Sequence, residues 1–89
     1  MTREELIAKV EKYRGNDYEN LHSVTRRIID NFLGVLSEPY YCPEKIGLHI
    51  YHTEISYVLE IMRPDLFDHD VLSRTKYLIE KRLKTIENE

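Results

Sequence analysis

The most informative pattern in the chain lies between Pro43 and Met62, PEKIGLHIYHTEISYVLEIM. Leu48, Tyr51, Ile55, Val58 and Met62 recur at i, i+3, i+7, i+10 and i+14, and Ile46, Ile50, Tyr57 and Ile61 form a second row. This predicts a central helix that is apolar on more than one face and meets neighbours on both sides. A strand competes over Lys45 to His52, where Ile46, Leu48 and Ile50 alternate. The helical register runs on to Met62 and no second strand is evident to pair with it, so helix is expected, with a break near Gly47 or a restart at Thr53 left open.

The flanking segments carry simpler patterns. Thr2 followed by Glu5 has the form of a capping box, and Leu6, Ile7, Val10 and Tyr13 make one stripe behind it, so a first helix is expected from about Arg3 to Arg14. Gly15 is expected to end it in a left-handed turn, with Asn16 and Glu19 starting the next helix after a very short connection. That second helix, about Asp17 to Leu36, carries Tyr18, Leu21, Val24, Ile28, Phe32 and Val35 at spacings of three and four, with Arg26 and Arg27 exposed. Pro39 stops it, since proline lacks the amide proton and disfavours helix in the preceding residue. After Arg63-Pro64-Asp65, Leu66 and Phe67 read as an apolar plug in a short turn, and a last helix starts near Asp68 or Asp70. Its buried face is Leu72, Ile79, Leu83 and Ile86, with Val71, Thr75 and Leu78. The fold class is therefore all-α, a small four-helix bundle in one domain spanning 1–89, and the two-row central helix leaves a homodimer open.

Composition narrows the function classes. A chain of 89 residues has room for one core, and no apolar run approaches the ~20 residues that cross a bilayer. No signal-peptide pattern opens the chain, and the single Cys42 has no internal disulfide partner, which fits a cytoplasmic protein that does not contact membranes. Net charge is −3 but segregated: Asp30 to Asp70 holds eight acids against Lys45 and Arg63, while Val71 to Ile86 holds five bases against Glu80.

No constellation carries chemistry. His49 and His52 are three apart, with Cys42, Glu54 and His69 as conceivable companions, yet no ligand pair of fixed spacing accompanies them and no metal or other cofactor is expected. The His69-Asp70 dipeptide has the form used by metal phosphohydrolases of the HD type, but no later aspartate exists to complete that site, and Asp70 reads as a first-turn acid. Cys42 lies beside acids that oppose a thiolate, the serines occur in no nucleophile elbow, and the three glycines build no phosphate loop. An enzyme is not expected.

One loop has unusual composition: EPYYCPE, in which Pro39 and Pro43 bracket Tyr40 and Tyr41, and Glu38 and Glu44 flank them. Tyrosine offers apolar area with a hydroxyl at low entropic cost and is enriched where proteins bind one another; the competing role is to cap the bundle core. The expectation is a protein-binding module, an inhibitor, immunity or adaptor protein that meets another, basic protein through Glu38, Tyr40, Tyr41, Glu44 and Glu54. The alternative is a helix-turn-helix-like nucleic-acid binder using Arg74, Lys76, Lys81, Arg82 and Lys84 of the last helix.

The layout resembles the small DNase-colicin immunity proteins. Thr2-Arg3-Glu4-Glu5-Leu6 opens the first helix and Tyr40-Tyr41-Cys42-Pro43 follows the second. The resemblance covers roughly the first half of the chain. It implies an acidic four-helix bundle that uses a tyrosine pair before a proline to bind a basic nuclease. The chain departs from that pattern in placing Cys42 between tyrosine and proline and in carrying two long helices in its second half.

Overall fold

The structure, a computed structural model, describes residues 1–15, 18–38, 40 and 42–88. Four α-helices follow one another: α1 (Arg3–Glu11), α2 (Ser23–Ser37), α3 (Glu44–Ile61) and α4 (His69–Glu87), with 3-10 turns at Lys12–Arg14, Tyr18–Asn20 and Pro64–Leu66. No strand occurs among the described residues, and Lys45 to His52 is helical. No helix is long and apolar enough to cross a membrane among those residues.

The helices pack in a closed ring, α1 on α2, α2 on α3, α3 on α4, and α4 back on α1. Successive neighbours are antiparallel where cross-contacts fix them: Phe32 meets Tyr51 at 5.1 Å between ring centroids, Glu44 meets Arg82, and Met1 O accepts from the same arginine. Inside the ring Leu6 and Val10, Ile28, Ile29, Phe32, Leu33 and Leu36, Leu48, Ile55 and Val58, and Leu72, Ile79 and Leu83 form one buried cluster. Each such side chain contributes about 1.5–3 kcal/mol by leaving water. Thr25 and Thr75 are the buried polar residues, and both are satisfied: Thr75 donates to Val71 O at 2.8 Å, and Thr25 Oγ1 accepts from Asp68 N at 2.8 Å.

The capping box at Thr2 forms as expected, with Glu5 N donating to Thr2 Oγ1 at 3.1 Å. The connection that follows does not. Gly15 has φ −80°, not the left-handed turn expected of it, and the chain leaves α1 through a 3-10 turn. Asn16 and Asp17 lie outside the described residues. Helix α2 starts at Ser23, six residues later than the periodicity suggests, because tertiary contacts organise the segment before it. The Tyr18 hydroxyl donates to Asp30, Arg14 Nε lies 3.2 Å from the same carboxylate, and Arg26 sits over the Tyr18 ring. His22, the N-cap of α2, donates its backbone N–H to Asp68 Oδ2 at 2.8 Å, so the start of α2 is held by the residue that precedes α4.

Helix α3 runs through Gly47 without a break. A Cβ there would stand 2.7 Å from Val35 Cγ1, so glycine allows the close approach of α3 to α2. The two apolar rows of α3 have different fates. Leu48, Ile55 and Val58 are buried, with Tyr51 and Met62 packed on them, but Ile46, Ile50, Tyr57 and Ile61 are each more than half exposed. The expectation that this helix meets two neighbours holds, since α3 packs on both α2 and α4, but the second apolar row does not take part: it faces solvent. The plug after α3 divides similarly, with Phe67 buried and Leu66 exposed.

Candidate functional site

The ring order sets the α2/α3 side and the α4/α1 side on opposite flanks of the bundle, and each carries an open groove. Between α2 and α3 the groove encloses about 400 Å³ and is lined by Asp30, Asn31, Gly34, Val35, Glu38, Cys42 and Tyr51. Gly34 makes room for it, since nothing lies within 4 Å of where a Cβ would be. Its carboxylates are Asp30, held by Arg14 and Tyr18, and the exposed Glu38. Tyr51 closes the inner wall, where burial, with Glu54 and Cys42 adding to it, raises its phenol pKa above 10.0, so it stays a neutral donor. The Tyr18 phenol is raised as well, chiefly because its hydroxyl hydrogen-bonds to Asp30.

Tyr40 stands in sequence between the groove residues Glu38 and Cys42, is not itself part of the groove lining, and is 94% exposed. It does not cap the core. Tyr41 and Pro39 lie outside the described residues. Of the other acids expected at this face, Glu38 and Glu54 are exposed, but Glu44 is not available to a partner. It accepts two hydrogen bonds from Arg82, from Nε at 2.7 Å and from Nη2 at 3.0 Å, with side-chain exposures of 17% and 13%.

The second groove, about 280 Å³, lies between α1 and α4 and is lined by Lys9, Lys12, Tyr13, Arg74, Tyr77 and Leu78. Among the described residues Lys9, Lys12 and Arg74 form no ion pair. Burial raises the Tyr13 phenol pKa while Arg74 beside it lowers it. Lys81 stands 5.5 Å from the centroid of the Tyr77 ring. The five basic residues expected to act together on α4 therefore separate. Arg74 lines the groove, Lys81 and Lys84 continue its stripe along α4, Lys76 is half-buried off that stripe, and Arg82 is bound to Glu44 on the side facing α3. Lys9, Lys12 and Tyr13 were not legible as partners of this stripe, although their basic-aromatic composition and an antiparallel first-to-last helix contact together would have pointed there.

The histidines do not converge. His49 is exposed, His52 Nε2 lies 3.7 Å from Glu80, and His69 Nδ1 is 3.4 Å from Ser73 Oγ. Among the described residues no group of three His, Cys, Asp or Glu side chains is arranged to hold a metal ion. No protein-family model, curated protein or solved structure matches this chain.

Proposed function

We propose that this chain is a small protein-binding module, an inhibitor, immunity or adaptor protein, that takes a basic segment of another protein at the α2/α3 groove. The observation that carries the reading is Tyr40, 94% exposed in the loop between Glu38 and Cys42, two residues that line an open groove, with the exposed carboxylate of Glu38 at that groove. A rigid aromatic held in water is costly to solvate and cheap to order, so burying it against a partner yields affinity. The surrounding carboxylates speed encounter with a positively charged surface. Gly34 leaves space for an incoming Lys or Arg stem between Val35 and Tyr51.

A pull-down from the native host tests this. Tyr40→Ala and Tyr41→Ala are expected to keep the helical signal and to weaken the captured protein by about 2 kcal/mol or more, as for a hot-spot aromatic. Gly34→Leu fills the groove from an open position and should block capture, whereas Glu38→Gln should mainly slow association. The α1/α4 groove supports a second reading, nucleic-acid binding, because its cations lack carboxylate partners and sit beside two tyrosine rings. That reading makes the opposite forecast: Lys12→Ala, Arg74→Ala and Lys81→Ala together abolish capture and Tyr40 is irrelevant. Recovery of nucleic acid alone, unaffected by Tyr40→Ala, defeats the protein-binding proposal.

A further inference from the structure

The exposed row of α3 is the largest feature the α2/α3 groove does not use. Ile46, Ile50, Tyr57 and Ile61 are 53%, 51%, 61% and 62% exposed. At about 100° per residue they fall within an arc of about 60°, turned about 135° from the mean direction of Leu48, Ile55 and Val58, and they span about 22 Å of helix. Lone exposed apolar residues are ordinary on a monomer; four aligned on one helix face are the signature of a surface that is covered in the working protein.

From this face we infer that α3 pairs with α3 of a second copy of the chain, antiparallel, across a two-fold axis passing beside Thr53. The spacing of the row selects that occupant. Its steps are four, seven and four residues, which read the same in both directions. Reversed on itself, the row therefore matches apolar to apolar: Ile46 meets Ile61 of the second copy and Ile50 meets Tyr57 of the second copy. A two-fold axis is the operation that brings one patch against itself. Thr53, exposed in the seven-residue gap and about 20° outside that arc, is short enough to let the helices approach where they cross.

Charge along the edges agrees with the antiparallel sense. Lys45, His49 and Glu60 lie on the edge of the row toward α4, and Glu54 lies on the edge toward α2. In antiparallel pairing each edge faces its own symmetry mate. Lys45 near one end then meets Glu60 of the second copy near the other, twice per dimer. A parallel pairing sets the Glu60 edge against the Glu54 edge and opposes like charges. The antiparallel arrangement has one unfavourable feature, the two Glu54 side chains approaching beside the axis, and this yields a sign that no basic heterologous partner shares. One helix face per copy is small beside the ~800 Å² that a standard interface buries per partner, so the dimer is expected in the micromolar range.

Sedimentation equilibrium of the full chain from about 1 µM to 1 mM tests the pairing. The expected result is reversible monomer–dimer behaviour. Ile50→Asp, at a solvent-facing position, is expected to abolish the dimer with helical circular dichroism unchanged. Lys45→Glu and Glu60→Lys alone should each weaken it about tenfold, and the two combined in one chain should restore it. Glu54→Gln should tighten it, while Tyr40→Ala should leave it unaltered, which separates this result from failure of the groove reading. A wild-type chain that stays monomeric at 1 mM overturns the inference. So does a dimer that survives Ile50→Asp, or one whose charge swaps do not rescue each other.

Discussion

Replacing Glu44 with glutamine is the most searching test of how the bundle is held. Glu44 stands in the first turn of α3, and its carboxylate is gripped in a bidentate pair by Arg82, near the other end of α4; Arg82 Nη1 also donates to Met1 O at 2.9 Å. With side-chain exposures of 17% and 13%, the pair is largely removed from solvent. Glutamine keeps the shape but takes the charge out of this bidentate contact, and weakening a largely buried charge-assisted pair costs about 2 kcal/mol. With an m-value of about 1 kcal/mol/M for a chain this size, the urea midpoint should fall by about 2 M. The melting temperature should fall by about 10–20 °C. Glu4→Gln is the control, because the Arg3–Glu4 pair is 3.6 Å apart with Glu4 75% exposed, and it should cost less than about 0.5 kcal/mol. If Glu44→Gln moves the midpoint no further than Glu4→Gln does, the pair is a surface contact and the assignment of Glu44 to the scaffold fails.

Three further expectations can be read in the same urea titration. Gly34→Ala should stabilise by about 0.5–1 kcal/mol, because an added methyl meets nothing and the helix backbone is stiffened, whereas Gly47→Ala should destabilise, its methyl driven into Val35 at a cost of about 1–3 kcal/mol that exceeds the gain in helix propensity. Phe67→Ala should cost about 3–5 kcal/mol and the adjacent Leu66→Ala well under 1, since burial separates them. For Asp68, burial works to raise the carboxyl pKa, but the His22 backbone N–H, Thr25 and the His22 side chain outweigh it and hold the pKa below 3.8. The stabilisation from Asp68 is thus complete above the unfolded value and lost as pH falls below 3.8 through the folded value; Asp68→Asn should remove that part of the acid sensitivity, and an unchanged acid profile would refute the α2–α4 clamp.

What the sequence discloses depends on how far apart the determining residues are. The helical register of α3 and the buried face of α4 are local periodicities legible from spacing, whereas which of the two apolar rows of α3 enters the core is not. The capping box at Thr2 is legible for the same reason, its partners being three residues apart. The start of α2 is not, because Ser23 follows a segment held by distant acids, Tyr18 on Asp30 and His22 on Asp68 across the ring. Likewise Glu44 and Arg82 each look like a free surface charge until a contact 38 residues long joins them. At the candidate site, Tyr40 was legible as an exposed aromatic in a stiff loop, but the groove beside it was not, since it depends on Gly34 lacking a side chain where α2 passes α3.

Helix α3 shows why apolar content alone does not define a core. Its two rows are nearly equal in hydrophobicity, yet only the row of Leu48, Tyr51, Ile55, Val58 and Met62 packs on the core, because a ring of four helices offers each member one inward side. The second row is more than half exposed in the monomer, and that exposed area leaves water only through association. A chain selected for the folded monomer alone would be more soluble with polar residues at Ile46, Ile50, Tyr57 and Ile61. Their placement in a row that reads the same in both directions, with Lys45 toward one end and Glu60 toward the other, is why the proposed self-pairing would use all of them at once. The acidic groove lies on another side of the same helix, toward α2, so the pairing leaves Tyr40 and Glu38 free to meet a separate partner. Such a protein would present two groove mouths related by a two-fold axis, and a multivalent partner would gain avidity from both without any new contact.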